Sequence, residues 1–462
     1  INIFSRTVLA EVQMKKLDVK EVFAILLGAI IGWGSFMLPG TKFLPDSGVV
    51  NTSVGLFAGT MTIIIIERSY RYMLCQNIDE GGEFSYILLF MGRKNAFIVG
   101  WFLFLAYLSL VPLNATAFPL VIDKLFPGAL NFGYLYTVAG DPVYIGEVLV
   151  SVLIVLFFMV LNLKGIKQSG KAQFFIVAAL IFCVLAVFAA MLFKADKVQF
   201  YENYIEGNSL QLSQILQVVA ITPFLFIGFD AIPQLVKDMD ISHKKASLLA
   251  VASLLIGMGC YILLNFATGL AYGPEEAARL DWALGEGVLE NLGTIGFLLL
   301  VIALGSAVSG GINGFMICST KLMSSMGNQN ILLPAFGRKT DKGILRNAII
   351  IVSVIGIAAC FLGREVVIWV VDMCSFGAAV VYFYVCLNTW RIGKERLVRA
   401  EAAVGMLFGL LFMFLLIVPS SPAALSKPAR IFLILWIVTG AIFFIRLALA
   451  DRAGKRSCEK TI

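Results

Sequence analysis

A single histidine, His243, stands in 462 residues. It lies in a charged loop, so neither a histidine-rich metal centre nor a histidine proton relay inside an apolar segment is available, and metalloprotease chemistry fails on ligand count. Charge is also scarce: Asp, Glu, Lys and Arg make up 14% of the chain, against roughly a quarter in soluble domains. The eight cysteines form no C-x-x-C pair, and Cys183, Cys260, Cys318, Cys360, Cys374 and Cys386 sit inside apolar segments, where a thiol serves as a small hydrophobe. A nucleophile elbow, a Walker-type phosphate loop and metal-ligand spacings are all missing, which removes the grounds for a membrane enzyme. No repeated pore loop of a channel is visible either.

What is present is apolar: 60% of the residues are hydrophobic. Runs of about 20 apolar residues, the length that crosses the hydrocarbon core as a helix, recur near 20–44, 50–74, 95–121, 145–163, 172–193, 213–236, 246–272, 290–320, 344–362, 366–388, 401–419 and 429–449. They predict one all-α integral membrane domain over 1–462 with about 12 transmembrane helices. The runs are too long and too uniformly apolar for barrel strands, and a backbone in lipid must satisfy its own hydrogen bonds. Lys and Arg concentrate in alternate connections, for example Arg6, Lys15, Lys16 and Lys20, then Arg68, Arg71, Arg93 and Lys94, then Lys164, Lys167 and Lys171, and finally Arg446, Arg452, Lys455, Arg456 and Lys460. The bias predicts both termini on the cytoplasmic side. The net charge of +7 is then a topology signal, and no nucleic acid partner is needed to explain it. Residues 1–17 are polar-interrupted, so no cleavable signal peptide is evident and the first span is expected to stay as an anchor. Two outside loops, 122–144 and 194–212, are long enough to fold locally as caps.

Two of the runs are written in helix breakers. GAIIGWGSFMLPG, Gly28 to Gly40, holds four glycines and a proline, and FLFIGFDAIPQ, Phe224 to Gln234, holds Gly228, Asp230 and Pro233. Each helical glycine costs about 1 kcal/mol relative to alanine. Interrupted helices heading two sets of five spans point to an inverted-repeat transporter with its site at the midplane, with 20–193 and 213–388 as the repeats and 401–449 outside them. Non-helical backbone at that depth survives where it lines a cavity or is buried in protein. N–H groups after Gly34 would face an anion; carbonyls at Ala29, Ile30 and Ile31, with those near Phe226 and Ile227, would accept from an ammonium. A zwitterion, hence an amino acid, fits both. The alternative is that the glycines merely let helices pack closely.

These stretches resemble the amino acid–polyamine–organocation (APC) transporters, whose first-helix pattern G-x-I-I-G-x-G-I-F-x-x-P-G is similar to Gly28-Ala-Ile-Ile-Gly32-Trp33-Gly34-Ser35-Phe36-Met-Leu-Pro39-Gly40. The resemblance continues in Glu67, in GGEFSYILLFMGRKNAFIVGW (Gly81 to Trp101), in LNLKGIKQSGKAQ (Leu161 to Gln173), in the GFD of span six, and in TKLMSSMGNQNILLP (Thr320 to Pro334). It covers spans one to eight in order. It implies a bacterial amino acid permease of the LeuT-type fold in the cytoplasmic membrane, a 5+5 inverted repeat with two peripheral helices. Substrate would lie against Ala29, Ile30, Ile31, Gly32, Trp33, Gly34 and Ser35 of span one and Phe226, Ile227, Gly228 and Phe229 of span six. Phe224 takes the position of the family's aromatic gate, or is an ordinary core phenylalanine.

Departures from the family matter for coupling. The lysine that many members carry in span five falls here on Leu180, which leaves a sodium site, a proton site elsewhere, or no coupling ion. Ser306 and Ser309 could supply sodium ligands or bond back to their own helix. Asp230, a carboxylate inside a span, could handle a proton, pair with substrate, or cap the second half of span six. Glu67, beside Arg68, is expected to pair with loops six-seven or eight-nine as a cytoplasmic gate. Lys237 and Asp238 stand where relatives have two acids, and Asp372 is a second carboxylate within a span. Trp33, in place of a small residue, either narrows the pocket and offers a cation–π face to an ammonium or points away into helix packing. The expected function is a secondary amino acid permease working by alternating access, with a proton as coupling ion and sodium as the alternative; other readings are a small-amine or polyamine carrier, an exchanger, or a transporter-derived sensor. No cofactor is expected, and the partners are a small-molecule substrate and membrane lipids.

Overall fold

The computed structural model describes residues 16–76 and 81–459, with 448–459 as backbone alone. Arg6 and Lys15, and the side chains of Arg452, Lys455, Arg456 and Lys460, on which part of the topology reading rests, lie outside this description.

The first span is broken where its glycines predict. Helix α1 (Val19–Ile30) starts at a capping box in which Asp18 accepts from the Lys20 and Glu21 N–H groups while Glu21 reaches back to the Asp18 N–H, so the orphan donors of the first turn are filled. Its end is set at Ile31, whose φ of −94° and ψ of 92° leave the helix. The chain resumes as α2 (Gly34–Leu38), loosens into a π-helical turn (Pro39–Phe43) at the residue that lacks an N–H, and tightens into α3 (Leu44–Leu74). Gly48, at φ +63°, breaks α3 internally, and this is the boundary that separates expected spans one and two.

Next come α4 (Gly82–Met91), α5 (Arg93–Ala115) and α6 (Ala117–Leu125). The short apolar helix α4 was not among the expected spans. Loop 122–144 folds as an antiparallel hairpin of β1 (Tyr134–Val138) and β2 (Asp141–Tyr144). After α7 (Ile145–Leu163) and α8 (Ile166–Lys194), loop 194–212 holds α9 (Lys197–Tyr204). The sixth run divides into α10 (Leu212–Leu225) and α11 (Ala231–Leu235) around a turn at 226–230. The remainder is α12 (His243–Gly269), α13 (Pro274–Ala277), α14 (Ala283–Asn328, interrupted at Gly293), α15 (Arg346–Cys360), α16 (Arg364–Ile392), α17 (Arg396–Ile417) and α18 (Lys427–Glu459).

Among the described residues nine helical runs are long and apolar enough to cross a membrane, and α4, α10 and α15 are shorter apolar helices. Burial sorts them into centre and rim. The most apolar stretch of Arg93–Leu125 is 72% buried and that of α16 67%, whereas α7, α8 and α17 reach 33% and Lys427–Leu447 only 17%. Rim helices therefore present side chains such as Phe175, Phe182, Leu407 and Ile434 outward, as a bilayer requires and water does not. At the centre α1 packs against α8, α12 and α14.

Candidate functional site

The two breaks touch. Gly228, at φ +118°, brings its backbone so near α1 that a Cβ there would lie 2.6 Å from Ala29 Cβ and 3.2 Å from the Ile30 nitrogen. Only glycine accepts that φ without strain and leaves that space. A Cβ at Gly34 would meet Phe224 and the Tyr261 hydroxyl at 3.5 Å, and one at Gly32 would meet Asn114 Oδ1 at 3.1 Å. Asn114, unremarked among its apolar neighbours in sequence, holds the unwound segment: its Oδ1 accepts from Trp33 N at 3.2 Å while its Nδ2 donates to the Leu110 carbonyl. Ser35 donates its hydroxyl to the Gly32 carbonyl at 2.8 Å. The Trp33, Ser35 and Phe36 N–H groups thus all have acceptors within the protein, so in this conformation the backbone donors expected to face an anion are taken. Ala29, Ile30, Ile31, Phe226, Ile227 and Phe229 are buried around the contact.

A cavity of about 990 Å³ runs in from one side and reaches Trp33 and Phe224, both half-buried. Trp33 therefore lines the cavity. Its ring face is already occupied: the Arg364 guanidinium lies over it, 4.7 Å from the centroid. Arg364 Nη1 donates to the Thr116 hydroxyl at 3.3 Å, while Arg364 Nη2 and Trp33 Nε1 are both buried with no hydrogen-bond partner among the described residues. The cavity wall carries the carboxyls of Asp123, Asp141, Glu147, Asp281, Glu365 and Asp372 against the cations of Lys42, Lys124 and Arg364. Lys124 is paired with Glu286 at 2.8 Å.

Asp230 lies fully buried in the break of span six. Its Oδ1 accepts from Gly228 N at 2.7 Å and Tyr107 donates its hydroxyl to the Asp230 carbonyl at 3.2 Å. The carboxyl thus turns back on the glycine before it and makes no capping bond to α11, which overturns the capping role. Glu83 on α4, also fully buried, interacts electrostatically with Asp230 and accepts from Gln234 Nε2 at 2.9 Å. One oxygen of each carboxyl, Asp230 Oδ2 and Glu83 Oε1, lacks a donor among the described residues. Tyr70, Tyr107, Cys318 and Tyr382 lie near the pair, and among the described residues neither carboxyl is in an ion pair with a lysine or arginine.

Where α1 meets α14 near Gly310, amide side chains take the carbonyls. Gln173 Nε2 donates to the Ala24 and Gly310 carbonyls, at 3.3 and 3.2 Å, and Gln173 Oε1 accepts from Asn313 Nδ2. Asn313 in turn accepts from Ser169 and Asn162. Ser306 and Ser309 are half-buried, and neither is among the partners of the Ala24 carbonyl on α1 or the Gly310 carbonyl on α14. Leu180, where relatives carry lysine, is fully buried among apolar side chains.

Residues 17–444 match the family described as Amino acid permease. The chain belongs to the amino acid permease family, within the APC superfamily. It is similar to Amino-acid permease RocC of Bacillus subtilis, 21% identical over 80% of this chain and 78% of that protein. It is also similar to Serine/threonine exchanger SteT of the same organism, 23% identical over 69% of each chain. Glutamate/serine transporter AimA, again from Bacillus subtilis, is 24% identical over 57% of this chain and 49% of its own. The permease is a multi-pass membrane protein and a transporter by family, not an enzyme.

At the start of α1 the permease makes contacts other than those expected. Leu17 bridges to the strand after α11, its N–H donating to the Asp238 carbonyl at 2.7 Å and its carbonyl accepting from Asp240 N at 3.1 Å. Lys167 pairs with Glu21, and Lys321 on α14 with Asp238. Glu67 makes no ion pair with loops six-seven or eight-nine: it is buried and accepts from the Ser247 hydroxyl on α12 at 2.6 Å, while Arg68 pairs with Glu401. Lys237 is exposed, and its neighbour Asp238 pairs with Lys321. Lys321→Met strands that carboxylate, and breaking a buried pair costs about 3–5 kcal/mol. Thermal unfolding in detergent should show a clear fall in Tm, partly restored by adding Asp238→Asn.

Proposed function

We propose that this permease moves an amino acid across a bacterial cytoplasmic membrane by alternating access around the contact of the two broken helices. The single observation behind the reading is that the two broken helices touch at Ala29 and Gly228 while Trp33 and Phe224, from the same two runs, line one cavity. Under this reading residues 20–193 and 213–388 are inverted repeats, 401–449 are peripheral, twelve helices cross the membrane, and both termini are cytoplasmic. The face at Leu17, Lys167 and Lys321 then points to the cytoplasm, and the cavity to the outside. Phe224 acts as the aromatic side of the substrate chamber. A proton is the coupled ion. In support of this, Asp230 and Glu83 share a site without a described counter-cation, and two buried carboxyls cannot both be ionised without a large desolvation cost. Sodium has less support, because the Gln173 amide already occupies the Ala24 and Gly310 carbonyls.

Uptake into proteoliposomes tests the reading. Accumulation of a labelled amino acid, increased by an inward proton gradient, is the expected result. Saturable binding without flux would make the protein a sensor, flux only against preloaded internal substrate would make it an exchanger, and flux of ethanolamine or polyamines in place of amino acids would replace the substrate class.

A further inference from the structure

The stack of Arg364 on Trp33 bears on what the cavity accepts. An indole face in a transporter cavity suits a substrate ammonium, but here the cation on that face is the protein's own. A second cation brought to the same ring would meet the guanidinium. What the pair lacks is an acceptor: Arg364 Nη2 and Trp33 Nε1 are two buried donors, on stacked side chains that both line the cavity, with no partner among the described residues. A buried donor left unmade is costly, and a charged one more so. Glu147 and Glu365 act on Arg364 electrostatically, yet neither forms an ion pair or hydrogen bond with it.

We propose that Arg364 Nη2 and Trp33 Nε1 form the subsite that receives the carboxylate of a neutral, zwitterionic α-amino acid. The proposal rests on the amino acid reading above and narrows it. A guanidinium is suited to this because its planar fork gives a carboxylate directional, charge-assisted hydrogen bonds. The acidic wall supplies the other half of the selection. Carboxyls outnumber cations there, so an anionic substrate is repelled on the way in, a simple amine is admitted but meets Arg364, and a zwitterion is disfavoured by neither. The backbone donors of Trp33, Ser35 and Phe36 have internal acceptors in this conformation, which favours the side-chain donors as the group that meets an arriving carboxylate. The Thr116 hydroxyl, bonded to both Arg364 and the Pro112 carbonyl, positions the guanidinium.

The test compares the full-length protein in detergent with Arg364→Met, Arg364→Lys and Trp33→Phe. Each is titrated with L-serine, L-alanine, L-leucine and L-glutamate and with the decarboxylated partners of the first three, ethanolamine, ethylamine and 3-methylbutylamine. Wild type should bind a neutral amino acid at least tenfold more tightly than its amine and than glutamate. Arg364→Met should erase that ratio, with amine binding kept or strengthened, Arg364→Lys should fall between, and Trp33→Phe should lose a few-fold. Because the readout is a ratio within one variant, partial misfolding does not mimic it, and Trp33→Phe carries the test if Arg364→Met does not fold. If Arg364→Met keeps the amino acid to amine ratio while wild type accumulates amino acids in proteoliposomes, the subsite is wrong and the transport reading stands. If wild type binds and carries only the amines, both fall together.

Discussion

Gly228→Val should abolish transport and ligand-induced stabilisation together. Two separate costs act at this residue. The φ of +118° is strained for any residue with a Cβ, at about 1–3 kcal/mol. The Cβ would also lie 2.6 Å from Ala29 Cβ and 3.1 Å from the Ala29 carbonyl carbon, and the atoms it meets are a Cβ and backbone, which cannot swing aside as a flexible side-chain end can. Valine adds two methyl groups to that collision, so α1 and the turn at 226–230 must separate. Gly207→Ala is a matched control, since Gly207 also has a positive φ, +66°, but nothing lies within 4 Å of an added Cβ. The control should lose a few degrees of Tm at most and transport normally. Uptake falling below detection in Gly228→Val, against near-wild-type uptake in Gly207→Ala, is the expected pair of results; comparable uptake in both would mean that the contact of the broken helices is not needed for transport.

The parts of this arrangement that were legible in sequence are those written in local chemistry. Glycines at 32 and 34, each costing about 1 kcal/mol in a helix, weaken the first run where it breaks, between Ile31 and Gly34, whereas Gly28 stays inside α1 and Pro39 only loosens the helix into a π turn. GFDAIP likewise marks the break of the sixth run. Contacts chosen by tertiary packing were not legible. Glu67 stands beside Arg68 in a basic stretch and invites an ion pair, yet the fold buries it against Ser247, 180 residues on. Arg364 is one basic residue in a short connection between two apolar runs, and nothing local says that it will lie on Trp33, more than 300 positions earlier. Glu83 left a fainter signal. It heads FSYILLFM, too short a run to span a bilayer, and an acid at the mouth of such a run was a reason to look for a buried helix there. Asn114 carried no signal beyond being polar in an apolar stretch.

Exchanging either buried carboxyl for its amide should separate transport from the proton. Glu83 and Asp230 are each fully buried, each has one oxygen without a donor among the described residues, and each acts on a common set of tyrosines, Tyr70, Tyr107 and Tyr382. Moving an ion out of water into such a place costs several kcal/mol, so two carboxylate charges side by side with no described ion-pair partner are disfavoured. A transporter gains from this arrangement when the proton can leave only as the site changes face. The amides Asp230→Asn and Glu83→Gln keep the shape and can donate one bond, but neither can give up a proton near neutral pH. Each should therefore retain substrate exchange, lose at least tenfold of the accumulation driven by an imposed proton gradient, and flatten the fall of uptake expected on the alkaline side. Both variants need measuring because the two sites interact. If Asp230→Asn alone flattens the profile and Glu83→Gln keeps it, the carrier is Asp230 and Glu83 only shapes its surroundings. An unchanged pH profile in both removes the proton from these carboxyls altogether. Counter-flow with preloaded liposomes at pH 6 and pH 8 separates these results from a general loss of folding, because a misfolded variant exchanges at neither pH.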